Sequence, residues 1–286
     1  MNKNDVMSYV DDVRCKIVSG DINKAILMHF DLMMTTYQQK PLFYKHILKH
    51  DRFMVAVTLL SFSFKNPKMP LSRVKEFCRD RDYMSGNSLD SLFSLFEITG
   101  FMDVIADEED GRQRLYKPTA AALSTAKNLI NAYTKPSEGM IPNEDRLNRV
   151  TLPHDLVPHY YKGFAKVLDA NIMLGQQRTD EIWIMNKDGG HLPMLALYVD
   201  NLRNSCSKAD QKVSTYSDLS SRLGVSHTHI IRIIKEGESR GYFKCNKHQV
   251  QLQPEFTELV HRVMASHFAI ARVSLELGIA CSDSST

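Results

Sequence analysis

The chain has 286 residues, 43% of them apolar and 24% charged, with a formal net charge of +3. That length allows two domains with proper cores, and that charge excludes a uniformly basic coat protein, so any nucleic-acid surface must come from local clustering. The five cysteines (Cys15, Cys78, Cys206, Cys245 and Cys281) are scattered, odd in number and without CxxC spacing, which argues against a disulfide scaffold or a zinc ribbon.

The opening MNKNDVMSYVDDV has no apolar core of a secretory signal, and the apolar run from Phe53 to Leu60 is far short of a membrane span. A soluble cytoplasmic protein with no membrane partner is expected. Residues 5–18 place Val6, Val10, Val13 and Ile17 at helical spacing, and Ser19-Gly20 breaks the pattern. Asp21 caps a second helix with Ile22, Ile26, Phe30, Met33 and Tyr37 on one face. Pro41 opens a third run to Phe62, either one bent helix or two, and Asn66-Pro67 stops it.

Pro70 begins a short helix with Leu71, Val74, Phe77 and Cys78 inward, followed by a turn at 82–85. Ser85 to Thr99 is the next helix, with Leu89, Leu92, Phe93 and Phe96 inward and Gly100 as its C-terminal cap. Phe101–Ile105 and Arg112–Tyr116 read as two strands around a polar turn, and Thr119 caps a helix to about Tyr133. Residues 135–153, with Pro136, Gly139, Pro142 and Pro153, read as a linker between a domain at 1–134 and another at 154–286.

In the second half, a helix is expected from Asp155 to about Leu174, then a segment holding Trp183, a turn at Asp188-Gly189-Gly190, a helix from His191 to Arg203 and a polar loop to Gln211. Val213 to Phe256 then gives helix, tight turn at Gly224-Val225-Ser226, helix and hairpin. Phe256 to about Leu277 closes the chain, with Leu259, Val260, Val263, Met264, Phe268 and Ala271 close to one face.

The halves repeat. Gly100-Phe101 and Gly241-Tyr242 are 141 residues apart, and at the same offset Leu89, Leu92 and Phe93 fall on Ile230, Ile233 and Ile234, and His50 falls on His191. The expected fold is therefore mainly α with small β-hairpin wings: two winged helix-turn-helix domains in tandem, joined by long packing helices.

At these residues the chain resembles a MarR-type transcriptional regulator built twice. In the first half the likeness rests on Leu92-Phe93 to Gly100-Phe101, the wing Asp110-Gly111-Arg112-Gln113-Arg114, and Lys117-Pro118-Thr119 leading into a long helix. In the second it rests on Leu219 to Ser226. The second wing, Lys244 to Val250, lacks the Asp/Arg pair, and Gln253-Pro254 replaces the family's Leu-Thr. The resemblance implies double-stranded DNA as partner, a homodimer or covalent pseudo-dimer, and a small-molecule effector. The aromatic residues outside the helix-turn-helix units, such as Phe30, Phe43, Tyr160 and Trp183, suit core and dimer packing, with a ligand pocket between helices as the alternative.

A helix-turn-helix sets its second helix in the major groove, N-terminal residues foremost. In the second copy this offers Ser226, His227, Thr228, His229, Arg232 and Lys235, with Arg222 before the turn and Lys244 and Lys247 in the wing. Thr and His can bond base edges or phosphates, whereas Arg and Lys neutralise phosphates. From Arg203 to His248, nine Lys or Arg meet four Asp or Glu. The first copy offers Asn87 and Ser88 on the helix and Arg112 and Arg114 in the wing, but Asp90 and Glu97 oppose phosphates. Arg112 either enters a minor groove or pairs with Asp110 or Glu109. Between Lys65 and Lys117, nine basic residues meet ten acidic ones. The second copy is expected to dominate.

No GxGxxG, GxxxxGK[ST] or HExxH occurs. His46 and His50 share a helix face without a matching carboxylate, and Cys245 and His248 flank a wing turn. No metal, cofactor or catalytic site is expected. The function read from sequence is a DNA-binding transcriptional regulator. Two alternatives stay open: a winged-helix protein-interaction module, and a plasmid or phage replication initiator.

Overall fold

The structure is a computed structural model that describes residues 2–138, 140, 155–172, 179–206, 215–246 and 249–283. Most of the expected linker, together with Lys247 and His248, lies outside the described residues.

The chain is mainly helical, with two small antiparallel hairpins. It opens with α1 (Lys3–Val18), α2 (Ile22–Tyr37), α3 (Pro41–Ile47) and α4 (His50–Lys65). The run from Pro41 is thus two helices, broken at Leu48-Lys49. Asn2 and Asp21 cap α1 and α2 with their side chains, and the apolar faces expected for both helices are buried. Next come α5 (Leu71–Asp80), α6 (Gly86–Ile98), β1 (Met102–Ala106), β2 (Arg114–Pro118) and α7 (Ala120–Thr134), the last continued by a 3-10 turn at Lys135–Ser137.

The first hairpin is displaced slightly from its expected place. Met102 pairs with Pro118 and Ala106 with Arg114. The polar turn is held by its own acids: the Glu109 amide donates to Asp107 and the Arg112 amide to Asp110. These side-chain turns take the residues that strand periodicity had assigned to β2.

The second half follows with α8 (Leu156–Asp169), α9 (Thr179–Met185), α10 (Leu192–Cys206), α11 (Tyr216–Leu223), α12 (His227–Ser239), β3 (Phe243–Asn246), β4 (Gln249–Leu252) and α13 (Pro254–Asp283). The order helix, helix, helix, hairpin, helix therefore occurs twice, from α4 to α7 and from α10 to α13. Both α6 and α12 have 13 residues, and both their ends lie 141 residues apart. Gly100 and Gly241, one residue beyond each C-cap, have φ of +72° and +77°, a conformation that costs little only for glycine.

The repeat also extends to an aromatic pair. The residue after each of these glycines stacks on a ring from the preceding short helix: Phe101 on Phe43 at 4.3 Å, and Tyr242 on Trp183 at 5.3 Å.

The two halves share one core. α13 packs against α8, α1, α7, α2 and α10. It is long and apolar enough to cross a membrane, but 94% of its apolar window is buried within the protein. Its crossing with α8 is close because both contact points are glycine. A Cβ on Gly163 would strike the Ser274 carbonyl, and one on Gly278 the His159 carbonyl.

Three histidines are buried at the centre. His29 Nδ1 faces the Ala132 carbonyl at 2.8 Å and so carries the proton, which leaves Nε2 to accept from His191 Nε2 at 2.9 Å. The His267 ring packs against His191 at 5.4 Å. Burial lowers all three pKa values, to about 4 for His29 and about 3 for His267, so the cluster is neutral at physiological pH.

Candidate nucleic-acid interface

The pair α11 and α12, with the turn between them, is built by local chemistry. Thr215 and Asp218 form a reciprocal capping box that starts α11. Gly224, at φ +59°, ends α11 in the left-handed conformation. Ser226 then caps α12, its side chain accepting from the His229 amide at 3.1 Å. Leu219, Leu223, Val225, Ile230, Ile233 and Ile234 are buried beneath. This leaves Ser226, His227, Thr228, Arg232 and Lys235 exposed along one side, with Lys244 exposed on β3.

Two expected contacts are corrected. His229 is not outward but buried. Its Nδ1 accepts from Arg232 Nη2 at 2.9 Å, and burial lowers its pKa, so it supports Arg232 from beneath as a neutral ring. Arg222 does not project freely either. It makes a two-pronged pair with Asp200 of α10 at 3.2 and 3.1 Å and lies over the Phe30 ring. The neighbours that claim Arg222 come from α10 and α2, which helical periodicity within residues 213–256 does not reveal. Lys247 lies outside the described residues.

The charge counted along the sequence is also thinned by pairing. Arg203 pairs with Asp31, Arg240 with Asp180 and Glu236, and Lys187 with Glu236. Among the described residues of the second unit, Arg232, Lys235 and Lys244 have no carboxylate partner.

In the first unit Asn87 and Ser88 are exposed at the start of α6, where Ser88 bonds the capping Ser85. Lys75 closes on Asp90 at 2.6 Å, Arg73 on Glu76 and Lys68 on Glu109. Of the wing arginines it is Arg114 that pairs, with Glu97 at 3.8 Å. The Arg112 side chain is exposed, and only its backbone amide meets Asp110. Comparisons with protein-family models, curated proteins and solved structures return no match.

The two exposed helix faces therefore differ in chemistry. Residues 227–235 of α12 carry Arg232 and Lys235 and no carboxylate, whereas the matching residues 86–94 of α6 carry Asp90 and no cation. Near the end of α6, Leu95 is 36% and Ile98 83% exposed, where α12 has Glu236 and Ser239 at the same offset.

Sequence reasoning missed what holds this unit in place. The Tyr37 hydroxyl, at the end of α2, donates to the Leu223 carbonyl at 2.6 Å just before the turn. Pro41 packs against Gly224 itself. The Gly189 amide donates to the Lys45 carbonyl of α3 at 2.8 Å. Partners 186 residues apart in the chain leave no local signal; only the apolar setting of a tyrosine on the α2 face hinted that its hydroxyl needed an acceptor.

Proposed function

We propose that this chain is a sequence-specific double-stranded DNA-binding transcriptional regulator, acting in the cytoplasm through tandem winged helices, with α12 as the dominant reading element. The observation that carries the proposal is the contrast between two equivalent helices: α12 presents Ser226, Thr228, Arg232 and Lys235 with no acid among its first nine residues, and α6 presents Asp90 and no cation. Phosphate contacts need unpaired cations, and base edges need donors near the helix N-terminus. A selection from a random duplex pool is expected to enrich one motif with the native chain and none with Arg232→Ala/Lys235→Ala. Enrichment that survives this double change removes α12 from the reading role.

A second reading applies to the first unit. Leu95 and Ile98, exposed beside Asp90 and Glu97, suit a protein surface better than a phosphate backbone. Under that reading Ile98→Asp leaves DNA affinity unchanged and abolishes binding of a co-purifying protein. Loss of DNA affinity in Ile98→Asp contradicts it.

A further inference from the structure

The stretch from Lys40 to Arg52 holds four Lys or Arg against one acid, Asp51. Unlike Arg203, Arg222 and Arg240, none of these four cations has a carboxylate partner among the described residues. Lys40 is turned toward the first unit, its ammonium over the Phe101 ring at 5.1 Å. The others belong to the first half in sequence, yet α3 is set against the second half in space.

Three contacts put it there. The Tyr37 hydroxyl donates to the Leu223 carbonyl, Pro41 packs on Gly224 in the turn that sets α12, and the Lys45 carbonyl accepts from the Gly189 amide. α3 thus borders α12 on the side that carries His229 and Arg232.

The side chains continue that border. Arg52 donates to His46 Nδ1 at 3.2 Å. Burial lowers the His46 pKa, and the charges of Arg52 and Lys45 lower it further. The Lys45 charge also reaches His229, the ring that accepts from Arg232. Arg52, Lys45 and Arg232 therefore form one row of cations, joined through His46 and His229. Asp188 is the acid among them, and it makes no ion pair among the described residues; the neighbouring Lys187 is taken up by Glu236. Lys45 and Arg52 are half-buried, as cationic residues are when their stems pack and their heads stay in water.

Like charges held side by side repel, and a polyanion relieves that repulsion. A helix in the major groove has phosphate backbone beside it, and contacts to that backbone fix register without reading sequence. We propose that α3 and the start of α4 hold the phosphate backbone of duplex DNA beside α12, with Lys45 and Arg52 each neutralising one phosphate. The inference rests on the DNA-reading role proposed for α12, and it makes the first half part of the second unit's interface.

Fluorescence anisotropy of the full chain tests it on two duplexes, one of mixed sequence and one carrying the motif enriched by selection. Lys45→Gln/Arg52→Gln is expected to flatten the slope of log affinity against log salt by roughly 2 and to weaken both duplexes alike, by about tenfold. Lys45→Arg keeps the charge and is expected to bind as the native chain does. Arg232→Ala/Lys235→Ala is expected to cost the enriched duplex more than the mixed one. Melting curves confirm that each variant is folded.

The native chain supplies a measurement that needs no variant: saturation with duplex is expected to slow chemical acetylation of Lys45. An unchanged slope in Lys45→Gln/Arg52→Gln, a Lys45→Arg chain as weak as the Gln variant, or unchanged acetylation of Lys45 overturns the α3 contact. If Arg232→Ala/Lys235→Ala still weakens binding in that case, the role of α12 stands without it. A native chain that binds neither duplex overturns both.

Discussion

Replacing Arg222 separates a structural arginine from a DNA-contacting one. Its guanidinium meets Asp200 at two points, 3.2 and 3.1 Å, and the side chains are 27% and 15% exposed. Removing one partner of a fully buried pair costs about 3–5 kcal/mol, because the other charge is left unpaired. Here about a quarter of Arg222 reaches water, which screens the loss, so Arg222→Ala is expected to cost about 2 kcal/mol. In a chain of this size that lowers the melting temperature by about 3 °C. Asp200→Asn should cost a similar amount, and the double change should cost clearly less than the sum.

Differential scanning calorimetry gives the stabilities, and fluorescence anisotropy at about 15 °C, near the temperature of maximum stability, gives duplex affinity while every variant is still folded. Affinity of Arg222→Ala is expected to stay within about twofold of the native value. An unchanged melting temperature together with a tenfold weaker affinity would refute the reasoning, since Arg222 would then touch DNA and not serve as a brace.

The α8–α13 crossing predicts a contrast between two glycines: Gly163→Ala meets the Ser274 backbone and should cost about 3 kcal/mol or more, whereas Gly100→Ala has open space but a positive φ and should cost about 1 kcal/mol. Urea unfolding measures both, and equal costs would discount the close crossing. The buried histidines predict acid lability. Their folded pKa values lie below the unfolded 6.5, so the stability present above pH 6.5 is lost as pH falls toward about 4 for His29 and about 3 for His267. Thermal melts from about pH 6.5 to about 4.5 should therefore fall less steeply in His267→Phe than in the native chain; parallel curves would contradict this.

Much of the architecture was legible because it is written in local patterns. Apolar spacing placed α6 and α12 to within a residue or two, and Gly100 and Gly241 marked their ends. The 141-residue offset matched Leu89, Leu92 and Phe93 to Ile230, Ile233 and Ile234, and all six are buried. The exposed side of α12 followed from the same spacing, except for His229, which lies at the edge of the apolar stripe and is claimed by the fold.

What was not legible depends on contacts between distant segments. Tyr37 on Leu223, Asp200 on Arg222 and Phe43 on Phe101 join residues with no shared periodicity. The net charge of residues 203–248 also misled in degree, because Asp31, Asp180 and Asp200, from outside that stretch, neutralise three of its arginines.

The central claim is the inequality of the two units, and the salt dependence of duplex affinity tests it most directly. Removing a cation that neutralises one phosphate flattens the slope of log affinity against log salt by about 0.9. Arg232→Ala/Lys235→Ala is expected to flatten the slope by roughly 2 and to weaken binding by at least about tenfold. Arg112→Ala/Arg114→Ala is expected to change both far less. Equal effects from the two pairs, or an effect confined to the first hairpin, would contradict the inequality.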